Sequence, residues 1–223
     1  MLPRFLLAAG LFLLPVAAAA QYDSTYGSSY YRQKVTQFNA IPDKENGEII
    51  FLGDSITDIA EWSDLFKNCL IKNRGISGDK TDGILNRLTE VTTRKPSRIF
   101  LMIGINDIAD QVPDSVIVAN YGRIMDRIRR ETPATRLIVQ SILPTNDSFT
   151  EFARHQHKTE HIRFVNTAIE KMALQRQYTY VNLYDAMCDS EGKLSSDYTN
   201  DGLHLKGAGY LVWKQLLQRK KLL

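Results

Sequence analysis

A serine, a histidine and a carboxylate, spread over most of the chain, carry the chemistry that this sequence offers. Ser55 lies in Gly53-Asp54-Ser55-Ile56, while Asp201 and His204 lie in Asp201-Gly202-Leu203-His204. A serine hydroxyl is a weak nucleophile until a base takes its proton. His204 is the candidate base, and Asp201 can accept the other imidazole N–H, fixing tautomer and ring direction. Two further pieces supply hydrogen-bond donors: Gly75-Ile76-Ser77-Gly78-Asp79 and Gly104-Ile105-Asn106-Asp107. The backbone N–H groups of Ser55 and Gly78 and the side-chain amide of Asn106 form a candidate oxyanion hole, in which one lost donor costs about 10²–10³ in rate. Gly78 has no Cβ, so a substrate can approach its backbone closely. Each piece alone also has a plain structural reading: a turn, a tight loop, a helix cap. Asp54 and Asp107 are read as acids that bond backbone amides at the rim, and Asp79 as structural. All four pieces in this order point to an ester hydrolase.

These residues must be brought together by the elements between them. Ile49-Ile50-Phe51-Leu52 reads as a strand buried on both faces and ending at Gly53. Further strands are expected at Ile71 to Arg74, Ile99 to Ile103, Leu137 to Ser141 and Tyr180 to Leu183. Helical spacing fills the gaps. Thr81 is expected to cap a helix bearing Ile84, Leu88 and Val91. Ile117, Tyr121, Ile124 and Ile128 mark another helix, stopped by Thr132-Pro133. Ile162, Val165, Ile169 and Met172 mark a third, and Tyr210, Trp213 and Leu217 a last one. Alternating strands and helices predict an α/β, three-layer, flavodoxin-like fold: a five-stranded parallel sheet of order 2-1-3-4-5 with helices on both faces. In such a sheet the ligand crevice lies outside the carboxyl ends of the strands, where strand order reverses. Ser55, Gly78 and Asn106 follow strands one, two and three, and so converge there.

The four pieces resemble blocks I, II, III and V of the SGNH (GDSL) hydrolase family. The resemblance runs from about Glu48 to Trp213 and is most specific in Asn73-Arg74-Gly75-Ile76-Ser77-Gly78-Asp79 and Tyr198-Thr199-Asn200-Asp201-Gly202-Leu203-His204-Leu205. It implies a Ser-His-Asp ester hydrolase with no metal and no cofactor. Ser55 would be the nucleophile, Gly78 and Asn106 would complete the oxyanion hole, and Asp201 and His204 would finish the triad. Ile56 replaces the Leu of the family's name. Ile59-Ala60 stands where many relatives resemble Gly-Gly, so a tighter rim beside the serine is expected. The chain also resembles the branch that includes carbohydrate O-acetylesterases and the acetylhydrolase subunits acting on platelet-activating factor.

The ends and the composition bound the rest. Residues 1–20 read as an export signal: Arg4, the apolar Phe5 to Leu14, then Ala18-Ala19-Ala20. Phe5 to Ala20 is shorter than the roughly 20 residues of a spanning helix, so no membrane span is expected. A periplasmic or secreted location follows from that reading. Residues 21–47 form a lead with no assigned function, and residues 48–223 a single hydrolase domain. A formal net charge of +3 argues against nucleic acid as the partner. Cys69 and Cys188 fall near strands at opposite edges of the expected sheet, which disfavours a bridge. His155, His157 and His161 lack a carboxylate at ligand spacing and are not read as a metal site. They sit in a polar loop, Pro144 to His161, that is either solvated surface or a contact for sugar hydroxyls. Trp62 is read as a packing residue rather than a substrate platform. With no lid evident, the expected substrate is a small-molecule or glycan ester carrying a short acyl group, acetyl first. The alternatives are a lysophospholipase or thioesterase for longer chains, and a non-catalytic glycan-binding module. A flavin carrier would share the sheet order, but Asp54 and Asp58 would repel its phosphate.

Overall fold

The computed structural model describes residues 27–41 and 47–223. The expected export signal, and residues 21–26 and 42–46 of the expected lead, lie outside the described residues. Five parallel strands form one sheet: β1 (Ile49–Gly53), β2 (Ile71–Gly75), β3 (Arg98–Met102), β4 (Arg136–Gln140) and β5 (Thr179–Val181). Their order is β2-β1-β3-β4-β5. The first is buried along its whole length, as its unbroken apolar run requires. The expected strands are all present, displaced by a residue or two at their ends.

Among the described residues the helices are α1 (Ser29–Ala40), α2 (Ser55–Asp58), α3 (Trp62–Phe66), α4 (Thr81–Thr93), α5 (Ile105–Ala109), α6 (Asp114–Glu131), α7 (Thr159–Gln175), α8 (Tyr184–Met187) and α9 (Gly207–Arg219). Helices α4, α6 and α7 pack side by side, while α9 packs on α3 and α8, so both faces of the sheet are covered. Phe51 joins one layer to the sheet, its ring stacked 3.9 Å from Trp62 and 4.7 Å from Phe100, with Trp213 edge-on. Trp62 is thereby a core residue, and its indole N–H donates to the Thr57 carbonyl. Cys69 and Cys188 are free.

Strand register sets the level at which the functional loops leave the sheet. Gly53 pairs with Gly75 on one side and Met102 on the other, so the chains bearing Ser55, Gly78 and Asn106 emerge together. Gly53 also needs to be glycine for close packing: a Cβ there would collide with the Met102 carbonyl and the Thr57 side chain.

The lead segment contains a docked helix that its polar sequence did not announce. The Ser28 hydroxyl caps α1 by accepting from the Tyr31 N–H. Tyr31 and Phe38 are buried and cluster with Ile76. The Tyr31 hydroxyl donates to the Gly83 carbonyl of α4, and Arg94 donates to the Phe38 and Ile41 carbonyls. The other face of α1 reaches Asp58, which accepts from Tyr30 and Lys34 and also from the N–H and hydroxyl of Ser77. Burial of Asp58 is outweighed by these donors, Lys34 foremost, and its carboxyl is held below the usual range. Helix α1 therefore clasps the loop that carries Gly78. Phe38→Ala should lower unfolding free energy in urea by about 3 kcal/mol, the usual cost of emptying a buried Phe site; a loss below about 0.5 kcal/mol would show that α1 is not docked.

Candidate active site

The turn from β1 into α2 presents Ser55 as the first helical residue. Asp54 precedes it as the cap, a carboxyl oxygen accepting from the Ile56 N–H at 3.0 Å. At the far end of the chain, Gly202 and His204 lie in a loop pinned from several sides. Gly202 N–H donates to the Thr199 hydroxyl, and the Gly202 carbonyl accepts from Asn146 N–H. Behind the loop, α9 is fastened to the serine turn, because the Tyr210 hydroxyl donates to the Ile56 carbonyl at 2.7 Å.

These constraints bring the imidazole to the hydroxyl. His204 Nε2 lies 2.9 Å from Ser55 Oγ, and His204 Nδ1 lies 2.8 Å from Asp201 Oδ2. Asp201 Oδ1 accepts the backbone N–H groups of Leu203 and His204 at 2.9 and 2.8 Å. Burial pushes the Asp201 carboxyl up, but the Leu203 N–H and the His204 ring and N–H outweigh it, so it stays below its ordinary value. An ionised Asp201 accepts from Nδ1–H, which leaves Nε2 as the acceptor of the serine proton. Phe152 packs edge-to-face on the His204 ring, centroids 4.8 Å apart.

The three candidate oxyanion donors lie on the segments that follow the level ends of β1, β2 and β3. Gly78 has φ +80°, and the space where a Cβ would stand is open, so its backbone is accessible to a ligand. Among the described residues, neither Ser55 N–H nor Gly78 N–H is taken by a backbone carbonyl. Asn106 is buried at the start of α5, and its Nδ2 donates one hydrogen to the Asp79 carbonyl at 3.0 Å. Such an array can stabilise negative charge developing on a carbonyl attacked by Ser55.

Asp54 and Asp107 do bond backbone amides, of Ile56 and Thr81, but they are buried rather than set at a solvent-facing rim. Asp54, Asp79 and Asp107 are at most 2% exposed. Asp79 pairs with Arg87 at 2.8 Å, and Arg87 also donates to the Gly53 carbonyl. Asp107 accepts from the Thr81 N–H and from the Thr81 hydroxyl at 2.5 Å. That hydroxyl in turn accepts from Asn120. Thr81 is thus the first residue of α4 rather than its cap, and Asp107 supplies the capping acceptor from α5. Burial raises all three carboxyls: Asp54 and Asp107 to about 7, and Asp79, with Arg87 opposing, to about 6.

The Pro144 to His161 loop does not act as one surface. Asn146 is buried and holds the Leu194 carbonyl through its amide. His157 pairs with Asp147, and His161 with Asp114. His155 is 3% exposed, and its Nε2 lies 2.9 Å from Asn106 Oδ1. Spacing in the sequence carried no sign of this contact; its only hint was that the loop follows β4, next to β3, and so opens at the same sheet end. No group of three or more His, Cys, Asp or Glu suited to a metal occurs among the described residues. Ile59 turns outward at 52% exposed, while Ala60 is buried.

Comparison with known proteins agrees with this arrangement of elements. The model of the GDSL-like lipase/acylhydrolase family matches residues 51–212. Human platelet-activating factor acetylhydrolase IB subunit alpha2 is 27% identical over 177 residues, covering 75% of this chain and 72% of that protein. A solved chain from Streptococcus pneumonia, described with reference to platelet activating factor, superposes with TM-score 0.78 at 31% identity, covering 86% of this chain and 92% of that one. A catalytic mutant of an acetylxylan esterase from Geobacillus stearothermophilus shares the fold, with TM-score 0.61 at 19% identity over 79% of this chain and 95% of that one.

The buried acids give a pH-dependent stability. A carboxyl raised from 3.8 to about 7 keeps its proton in the folded state where the unfolded chain has lost it. Its contribution is full below pH 4 and is lost as pH rises towards 7. Asp54→Asn should therefore gain stability relative to wild type between pH 4 and pH 8, by at least about 1 kcal/mol in urea titrations. A gap that stays constant across that range would contradict a protonated Asp54.

Proposed function

From the premise that this chain belongs to the GDSL-like lipase/acylhydrolase family, and so to the ester hydrolases, we propose that Ser55, His204 and Asp201 form its catalytic triad. The observation that carries this reading is the unbroken hydrogen-bonded series from the Ser55 hydroxyl through the His204 ring to the Asp201 carboxylate. His204 takes the Ser55 proton as the oxygen attacks the ester carbonyl. The oxyanion is held by Ser55 N–H, Gly78 N–H and Asn106 Nδ2–H. His204 then protonates the departing alcohol, leaving an acyl-serine. Water enters, gives a proton to His204 and releases the acid, and the proton returns to Ser55.

The substrate proposed is a short acyl ester, acetyl first, on a carbohydrate. Supporting this are the acetylhydrolase and acetylxylan esterase names of similar proteins and the exposed ion pair of Asp110 with Arg154, next in sequence to His155. A longer acyl chain is the second reading, favoured by the apolar Phe152 ring against His204. The apolar stretch behind Arg4 supports export to the periplasm or medium, and N-terminal sequencing of the protein recovered from its host would check the cut after Ala20.

With p-nitrophenyl acetate, Ser55→Ala and His204→Ala should each lower kcat by about 10³ or more with little change in KM. Asn106→Ala should lower it by about 10². Full activity in the Ser55 variant would overturn the triad. In a series of nitrophenyl esters, kcat/KM should fall from acetyl to octanoyl, and acetylated xylan should release acetate. A rise with chain length would transfer the assignment to a long-chain hydrolase.

A further inference from the structure

The buried contact between His155 and Asn106 has a direction that the neighbouring atoms fix. The Asp79 carbonyl can only accept, so the Asn106 atom 3.0 Å from it is the amide nitrogen. The atom facing His155 is then the carbonyl Oδ1, which also only accepts. His155 Nε2 must therefore carry a hydrogen and donate it across 2.9 Å. In the neutral ring this leaves Nδ1 bare, and Nδ1 is buried with no hydrogen-bond partner. Burial, reinforced by the charge of Arg154, pushes the His155 pKa down to about 4, so the neutral ring is the state near neutral pH.

We propose that His155 is a positioning residue: by donating from Nε2 to Asn106 Oδ1 it locks the carboxamide so that one Nδ2 hydrogen meets Asp79 and the other is left for the oxyanion. A primary amide has two hydrogens on nitrogen. Fixing one on the Asp79 carbonyl and anchoring the oxygen removes rotation about the last side-chain bond, so the second hydrogen has one direction. Oxyanion donors work because they are oriented before charge develops, not during it. Without an anchor on Oδ1, the amide would turn or exchange its ends. Phe152 packs edge-to-face on both rings, 5.9 Å from His155 and 4.8 Å from His204, and so holds the anchoring imidazole beside the one proposed as base. A neutral His155 also adds no charge next to the imidazolium that forms on His204.

The inference rests on the ester-hydrolase reading, and its test separates the two. Wild-type turnover of p-nitrophenyl acetate is measured first; its absence would count against the proposed function, not against His155. His155→Phe keeps a ring but cannot donate, and should lower kcat about 10- to 100-fold, up to the cost of one oxyanion donor, with KM nearly unchanged. His155→Gln, whose amide can donate to Oδ1, should restore most of that loss. In an Asn106→Ala background, adding His155→Phe should change kcat less than about twofold, because the group it orients is gone. Independent losses in the double variant, or equal losses in the Phe and Gln variants, would overturn the proposal. Should His155→Phe fail to fold, nitrogen-15 spectra of the wild-type imidazole decide directly. A protonated Nε2 and bare Nδ1 at neutral pH are expected, and the opposite tautomer would contradict it.

Discussion

A hydrogen bond of 2.9 Å between Ser55 and His204 joins residues 149 positions apart. It constrains the rest of the fold, because a contact of that length fails when either loop moves by an ångström. The level register of Gly53, Gly75 and Met102 sets the serine turn and its neighbours at one height. The Tyr210 hydroxyl on the Ile56 carbonyl ties the last helix to that turn. Asn146 and Thr199 fix the loop holding Gly202, and Asp201 spends one oxygen on the backbone and the other on the imidazole. Most of these restraints act on backbone or on a buried group, so little conformational freedom remains for the site itself.

Beneath the site the fold accepts an electrostatic cost. Three carboxyls are buried close enough to repel one another, and Arg87 is the counter-ion of one of them. Burying carboxyl groups disfavours their charged forms, and a neutral carboxyl is the cheaper state where pairing is incomplete. In return these acids fasten neighbouring elements to one another. Asp79 links α4 to the loop after β2 and, through its carbonyl, to Asn106. Asp107 caps α4 from the first turn of α5. The positions of Gly78 and Asn106 thus depend on α4 as much as on the strands that precede them.

Much of this was legible in the sequence for identifiable reasons. The sheet announced itself because strands buried on both faces must be continuous apolar runs, as in Ile49 to Leu52. The glycines that end them marked where backbones crowd. The meeting of Ser55, His204 and Asp201 was legible because Asp201 and His204 lie on one short loop and Ser55 follows a strand directly. Helix α1 was not, since Ser29 to Ala40 has no apolar stripe and buries little beyond Tyr31 and Phe38. Its stability comes from tertiary partners such as Arg94 and Gly83 that no local pattern contains. Thr81 looked like a cap because Thr often is one; an acid from 26 residues away took that role. His155 was hidden for the same reason, as its partner Asn106 is adjacent only through the pairing of β3 with β4.

The most direct test of the account is to treat the full chain with a fluorophosphonate probe and locate the modified peptide by mass spectrometry. An activated serine reacts where ordinary serines do not. A single adduct on the Ser55 hydroxyl is expected, formed rapidly in the wild type and far more slowly in His204→Ala. No adduct on the wild-type chain, or one on another residue that persists in Ser55→Ala, would contradict it.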